Sequence, residues 1–245
     1  MMQTRRTIRW GRWIGLGGGL LVLSALVTGW MLFQHIPSWY QPMAIPPDQR
    51  QAVRDDFVGT FDNLSEGLIE SRRSFDCRFT QNQLNAWLAA REEMWPASRH
   101  WLPRFMKDPH VVIDNQGIRL AVKCRQRGVE MILHARLQAQ MEPDGINLRL
   151  IAVSAGSLPM PRRLIEDQLA SLDGSQWPAG ERFSSQIGNR PVPPLSALFD
   201  GIVIPNGWIW QNGEQPFKIT GLRFGRGEVV VTFQPLPRSS WQGAH

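Results

Sequence analysis

The side chains that could carry chemistry in this chain of 245 residues are its five histidines, its two cysteines and the adjacent carboxylates Asp55-Asp56 and Glu92-Glu93. Their spacing supports little of it. His35, His100, His110, His134 and His245 are scattered, and only His110 and His134 could share one face of a sheet. No cysteine and histidine stand at metal-ligand spacing, so neither a metal centre nor a cofactor is implied. Each carboxylate pair sits in a helical pattern, where neighbouring residues splay over different faces and cannot form a two-carboxylate acid-base site. There is no Gly-x-Ser-x-Gly, no His-Glu-x-x-His and no phosphate-binding glycine loop, so nothing recommends an enzyme and no catalytic residue is assigned. Cys77 and Cys124 both fall on the inward side of alternating stretches, where they would form either a disulfide or two buried thiols.

What positions these residues is an apolar stretch from Trp13 to Phe33, 21 residues without a charge, long enough to cross a hydrocarbon core. Arg5, Arg6, Arg9 and Arg12 precede it with no acidic residue, which orients the N-terminus to the cytoplasm and the rest outside. Trp10, Trp13, Trp30, Trp39 and Tyr40 flank the span and suit the two headgroup layers. A cleaved secretory signal would have a shorter core and a better site than Val27-Thr28-Gly29, so a retained anchor is expected. Thr4-Arg5-Arg6-Thr7-Ile8 also resembles a twin-arginine export signal, but arginines that merely orient the helix account for it. Gly11, Gly15 and Gly19, spaced by four, stack on one helix face where a second copy could approach to make a homodimer.

Charge excludes one class of partner. Of the 27 basic residues four precede the span, leaving 23 against 21 acidic ones outside it, so nucleic acid is not implied. The 42% hydrophobic content suffices for a packed exported domain. The predicted layout is a basic cytoplasmic tail over 1–12, a transmembrane helix over 13–34, a proline-rich spacer over 35–47 that lifts the domain off the headgroups, a domain over 48–235, and a loose tail over 236–245.

Within the domain, Val53, Phe57, Phe61, Leu64 and Leu68 mark the apolar stripe of a helix. A short strand ending at Phe79 leads into Thr80-Gln81-Asn82-Gln83, a capping box in which Gln83 reaches back to the cap. Then come four strands near 110–114, 117–125, 128–141 and 145–154, separated by turn-forming residues, which predict an antiparallel meander. Beyond it lie a helix through Leu164, Ile165, Leu169 and Leu172, an irregular stretch over 173–194 suited to a lid, and strands near 208–211, 216–224 and 228–234.

The meander separates its faces. Ile118, Leu120, Val122, Val129, Met131, Leu133, Leu137, Met141, Leu148 and Leu150 form an apolar wall that has to be covered, in part by the Val53–Leu68 helix. Of these, Leu120, Val122, Val129, Met131, Leu133, Leu137, Met141 and Leu148 are the candidate ligand-groove residues. The opposite face is wet and basic, and Arg119, Lys123, Arg125, Arg136 and Arg149 on it are candidates for anionic headgroups.

The order of anchor, helix, Phe79-Thr80-Gln81-Asn82-Gln83-Leu84-Asn85-Ala86-Trp87-Leu88, meander and Gly156-Ser157-Leu158-Pro159-Met160-Pro161 resembles the YpmS-like family of membrane-anchored bacterial proteins. It is distantly similar to extracytoplasmic lipid-binding proteins of the LmeA and tubular-lipid-binding (TULIP) type. The resemblance carries no catalytic residues; it implies a curved antiparallel sheet wrapped round a helix, with lipid in the groove. The tryptophan-rich C-terminal strands lie outside the pattern. The expected fold is therefore α+β, an N-terminal transmembrane helix followed by a curved antiparallel sheet packed on amphipathic helices. The expected protein is a single-pass anchor of the inner, cytoplasmic membrane whose extracytoplasmic domain binds membrane lipid or another apolar ligand. The alternative is a non-catalytic scaffold of a cell-envelope complex.

Overall fold

A computed structural model describes residues 10–71, 73–94, 98, 102–103, 105–126, 128–143, 145–173, 195–210 and 215–237. Its first element, helix α1 (Trp10–Gln34), carries no proline, and its Gly15–Gln34 part is long and apolar enough to cross a membrane, with no residue of it fully buried. Gly15 and Gly19 are exposed on α1 with open space beside them, and Gly11 lies in the same helix.

The rest is α+β, with two antiparallel sheets. A 3-10 turn at Pro47–Gln49 leads into α2 (Arg50–Glu70), then come β1 (Phe75–Thr80), α3 (Gln81–Ala89) and the short α4 (Arg91–Met94). The meander follows as β2 (Met106–Asp114), β3 (Gly117–Gln126), β4 (Val129–Glu142) and β5 (Gly145–Ala155). Two short strands flank it, β6 (Leu158–Pro159) and β7 (Ile202–Pro205), with α5 (Arg162–Asp173) and a 3-10 turn at Leu195–Phe199 between them in the chain. The chain closes with β8 (Trp208–Ile209), β9 (Pro216–Gly225) and β10 (Glu228–Pro235).

The smaller sheet has the order β1-β10-β9-β8, so a strand from the first third of the domain pairs with the last hairpin. Helix α2 lays its stripe here: Leu64 and Leu68 are buried against Phe217 and Phe233, with Phe75 and Cys77 packed beside them. The expectation that this helix covers the meander is corrected. The larger phenylalanines of the smaller sheet, absent from the meander, supply its partner face.

The larger sheet runs β2-β3-β4-β5-β6, with β7 on the first half of the β5 edge and β6 on its end. The two sheets meet through Val111 and Ile113 of β2 and Val229 of β10, a cluster that gathers Ile118, Leu222 and Phe224. Helix α3 closes the same junction. Thr80 caps it by accepting from the Gln83 N–H at 3.2 Å, but the Gln83 side chain does not reach back; it donates to Asp56 and Thr60 of α2 instead. The Trp87 indole N–H also donates to Asp56, at 3.0 Å, which pins α3 to α2.

Helix α3 also supplies what β2 lacks. An outer strand leaves one row of backbone groups unpaired. On β2 this row is filled by side chains: the Asn85 amide donates to the Val111 carbonyl and accepts from the Val111 N–H, each at 2.8 Å, and Gln81 accepts from the Ile113 N–H at 2.9 Å. The Gly227 N–H completes the row by donating to the Ile113 carbonyl at 3.0 Å. Asn85 is 3% exposed, so water cannot replace it. Asn85→Leu strands two buried backbone groups, each worth about 1–3 kcal/mol when unpaired. Chemical denaturation should show a loss of about 2–4 kcal/mol for it, against a much smaller loss for the exposed Asn82→Leu.

Candidate functional site

The register assigns the apolar wall residue by residue, because antiparallel partners share a face. Val111, Leu120 and Ala135 stand side by side across three strands, as do Ile113, Ile118 and Leu137, while Val122 pairs with Leu133 and Cys124 with Met131. Beyond the bulge at Arg136/Leu137, β5 adds Leu148 opposite Ala139 and Ile146 opposite Met141.

Two clusters cover this face from opposite sides. Val111, Ile113 and Ile118 lie under Leu84 and Leu88 of α3 and under β9 and β10. Leu150 lies under Ile165 of α5 and Phe199 of the 3-10 turn, with Ala135, Leu137, Val153, Met160 and Leu198 packed on them. Between the clusters lies Leu120, whose neighbour on one side belongs to the first and on the other to the second, and it remains 40% exposed. Val122, Val129, Met131, Leu133, Leu137, Met141 and Leu148 are half-buried. Of the 173–194 stretch expected to act as a lid, Asp173 is the last residue of α5 and 174–194 lie outside the described residues.

The reverse face departs from the expectation of a wet surface where Ala121 and Ile132 stand, while Arg125 on it is exposed. Ala121 and Ile132, which alternation turns outward, are 2% and 1% exposed. Their cover is Trp39 and Tyr40, from the segment read as a spacer. Tyr40 is itself 8% exposed, donates its hydroxyl to the Asp108 carbonyl at 2.7 Å, and meets His110 edge-on at 5.8 Å. Trp39 meets His134 edge-on at 5.2 Å, and the Arg119 guanidinium lies over its ring. These two aromatic residues are thus part of the domain, and the segment is a strap laid on the sheet. Burial, then the nearby Asp108 charge, pushes the Tyr40 phenol far above its ordinary value, as expected for a ring sealed against the sheet.

His110 and His134 do share this face, both opposite Ala121. With one strand between them they stand about 10 Å apart, too far to share a metal ion. Among the described residues no group of three metal-binding side chains comes together.

The five candidate headgroup cations do not form one patch. Arg119 and Arg136 converge on Asp114, at 3.0 and 3.6 Å, and Arg136 also donates to Gln116. Burial raises the Asp114 carboxyl, but hydrogen bonds from the Gln116 N–H and Arg119 and the two guanidinium charges outweigh it and hold the acid below the ordinary range. Lys123 and Arg125 line a recess of about 250 Å³ with Phe105, Lys107, Asp108 and Glu130, where Lys123 pairs with Glu130 at 2.6 Å. Arg149 is exposed and donates to the Phe199 carbonyl at 3.2 Å.

Cys77 and Cys124 are free thiols. The disulfide alternative is overturned because the two inward faces belong to different sheets: Cys77 packs in the smaller sheet's core and Cys124 sits in β3 of the larger one. Burial raises both thiols above their ordinary value, so neither is poised as a nucleophile.

Comparison with protein-family models, with curated proteins and with solved structures finds no match to the chain.

The strap makes stability depend on pH through His110. It is 5% exposed, its Nδ1 is buried with no hydrogen-bond partner among the described residues, and burial pushes the imidazole below its ordinary 6.5, outweighing a hydrogen bond with the Trp39 backbone that acts the other way. The unfolded chain therefore takes up the proton first. The contribution is complete above the ordinary value and is lost as pH falls through the window below it. Thermal denaturation should show stability falling as pH drops below the ordinary histidine value, and His110→Gln should flatten that slope.

Proposed function

We propose that this is a membrane-anchored extracytoplasmic protein that binds a lipid or another apolar ligand along the strip around Leu120. The observation that carries the reading is that strip. A large apolar side chain stands 40% exposed at the middle of a sheet face whose flanks are sealed by two separate clusters. Half-buried Val122, Leu133 and Met131 continue it along the sheet. Apolar grooves of this kind suit an acyl chain, and methionine adapts to ligands of differing shape. Helix α1, with the arginines ahead of it, supports an anchor with its N-terminus in the cytoplasm and keeps the domain beside a supply of lipid. The resemblance to membrane-anchored and lipid-binding envelope families points the same way.

A scaffold is the second reading, and the strap favours it. A domain clamped to its own membrane helix by Trp39 and Tyr40 presents its surfaces in a fixed pose, as an assembly platform would.

The two readings separate in one experiment. The chain from Ile36 onward, purified without detergent and extracted with organic solvent, should yield bound lipid. Leu120→Arg should abolish that yield while moving stability by no more than about 0.5 kcal/mol, because the site is exposed. No lipid in the unsubstituted protein and no lipid transfer between vesicles would refute the ligand reading and leave the scaffold.

A further inference from the structure

The last turn of α1 is built into the domain. The Ser157 N–H donates to the Leu32 carbonyl at 2.8 Å, and the Ser157 hydroxyl meets His35 Nδ1 at 2.7 Å. Gly156, at φ +59°, approaches the helix end so closely that a Cβ there would collide with the carbonyl oxygens of Leu32 and Phe33. Only glycine tolerates both the backbone conformation and the approach. Gly156 is held on the sheet in turn: its N–H donates to the Ile132 carbonyl at 2.7 Å and its carbonyl meets His134 Nε2 at 2.9 Å. The corner between β5 and β6 therefore lies at the depth of the last turn of α1.

The residues that leave this corner are apolar and uncovered. Leu158 is 37% exposed and Leu164, in the first turn of α5, 54%. Pro159 and Pro161 between them are exposed, as is Arg163, which makes no ion pair among the described residues. On the other side of the junction Ile36 is 58% exposed. Single exposed leucines are ordinary on soluble surfaces. Here, however, the segment that carries them leaves a corner hydrogen-bonded to the end of a helix of spanning length, and a cation stands beside them, which is the composition of a segment lying at a membrane interface.

Resting on the reading of α1 as a membrane anchor, we propose that Ser157–Leu164 is a second membrane contact. Leu158 and Leu164 enter the boundary between headgroups and acyl chains, Arg163 meets the phosphates, and the domain is thereby held on the bilayer in a single orientation. The partner is the lipid surface itself.

The test uses the full chain in its membrane, with the photocrosslinker p-benzoylphenylalanine placed singly at Leu158, Leu164, Leu26 within α1, and Asn115 in the exposed turn between β2 and β3. Lipid adducts are expected at Leu158 and Leu164 at yields approaching that of Leu26 and several-fold above Asn115. Adducts at Leu26 with Leu158 and Leu164 no higher than Asn115 would overturn the second contact while leaving the anchor intact. No adduct at Leu26 would overturn the anchor and the contact together.

Discussion

A sheet with buried apolar residues on both faces has to be covered twice, and the β2–β5 meander is such a sheet. Ile113 and Leu150 on one face are 2% and 6% exposed, and Ile132 and Ala121 on the other are 1% and 2%. The covers come from opposite ends of the chain. The first face takes α3 and the last hairpin on one side and α5 with the 3-10 turn on the other. The second takes the residues that leave α1, whose Tyr40 alone is worth about 2–3 kcal/mol when fully buried. Removing a cover would expose core, so the segment joining helix to domain is as structural as any strand.

Everything proposed about function follows from how the covers fall short or overlap. On the first face they leave Leu120 between them, and the ligand reading occupies that gap. On the second the strap and the Gly156 corner fix the domain to α1, so that the apolar strip and the Leu158–Leu164 segment keep a set position relative to the helix. A flexible tether would let the domain tumble; this junction does not, since hydrogen bonds, a left-handed glycine and two edge-on aromatic contacts all act on it.

The strands of the meander are legible because alternation is a local signal: Val129 to Met141 keeps a period of two, and the register pairs it as expected. What covers a face is not local. Ala121 and Ile132 stand among Arg119, Lys123, Glu130, His134 and Arg136, so their side of the sheet reads as polar until Trp39 and Tyr40 are laid on it. Those two follow an apolar helix, where aromatic residues ordinarily mean headgroups. The Thr80 cap is visible within four residues, but the role of Asn85 depends on Val111, 26 positions on, and that of Gln81 on Ile113, 32 positions on. Likewise the inward alternation of Cys77 and Cys124 holds, yet it does not say that the two interiors belong to different sheets.

The central claim is that the strap belongs to the folded domain. Its most direct test compares the denaturation of a chain beginning at Ile36, which keeps Trp39 and Tyr40, with that of one beginning at Asp48, which lacks them. With the strap gone, Ile132 and Ala121 face water and the Tyr40 burial is lost. The shorter chain should lose about 3–5 kcal/mol, the cost of deleting a large buried aromatic side chain, and should bind the apolar dye ANS. Equal stability of the two chains, with no dye binding by either, would contradict the account.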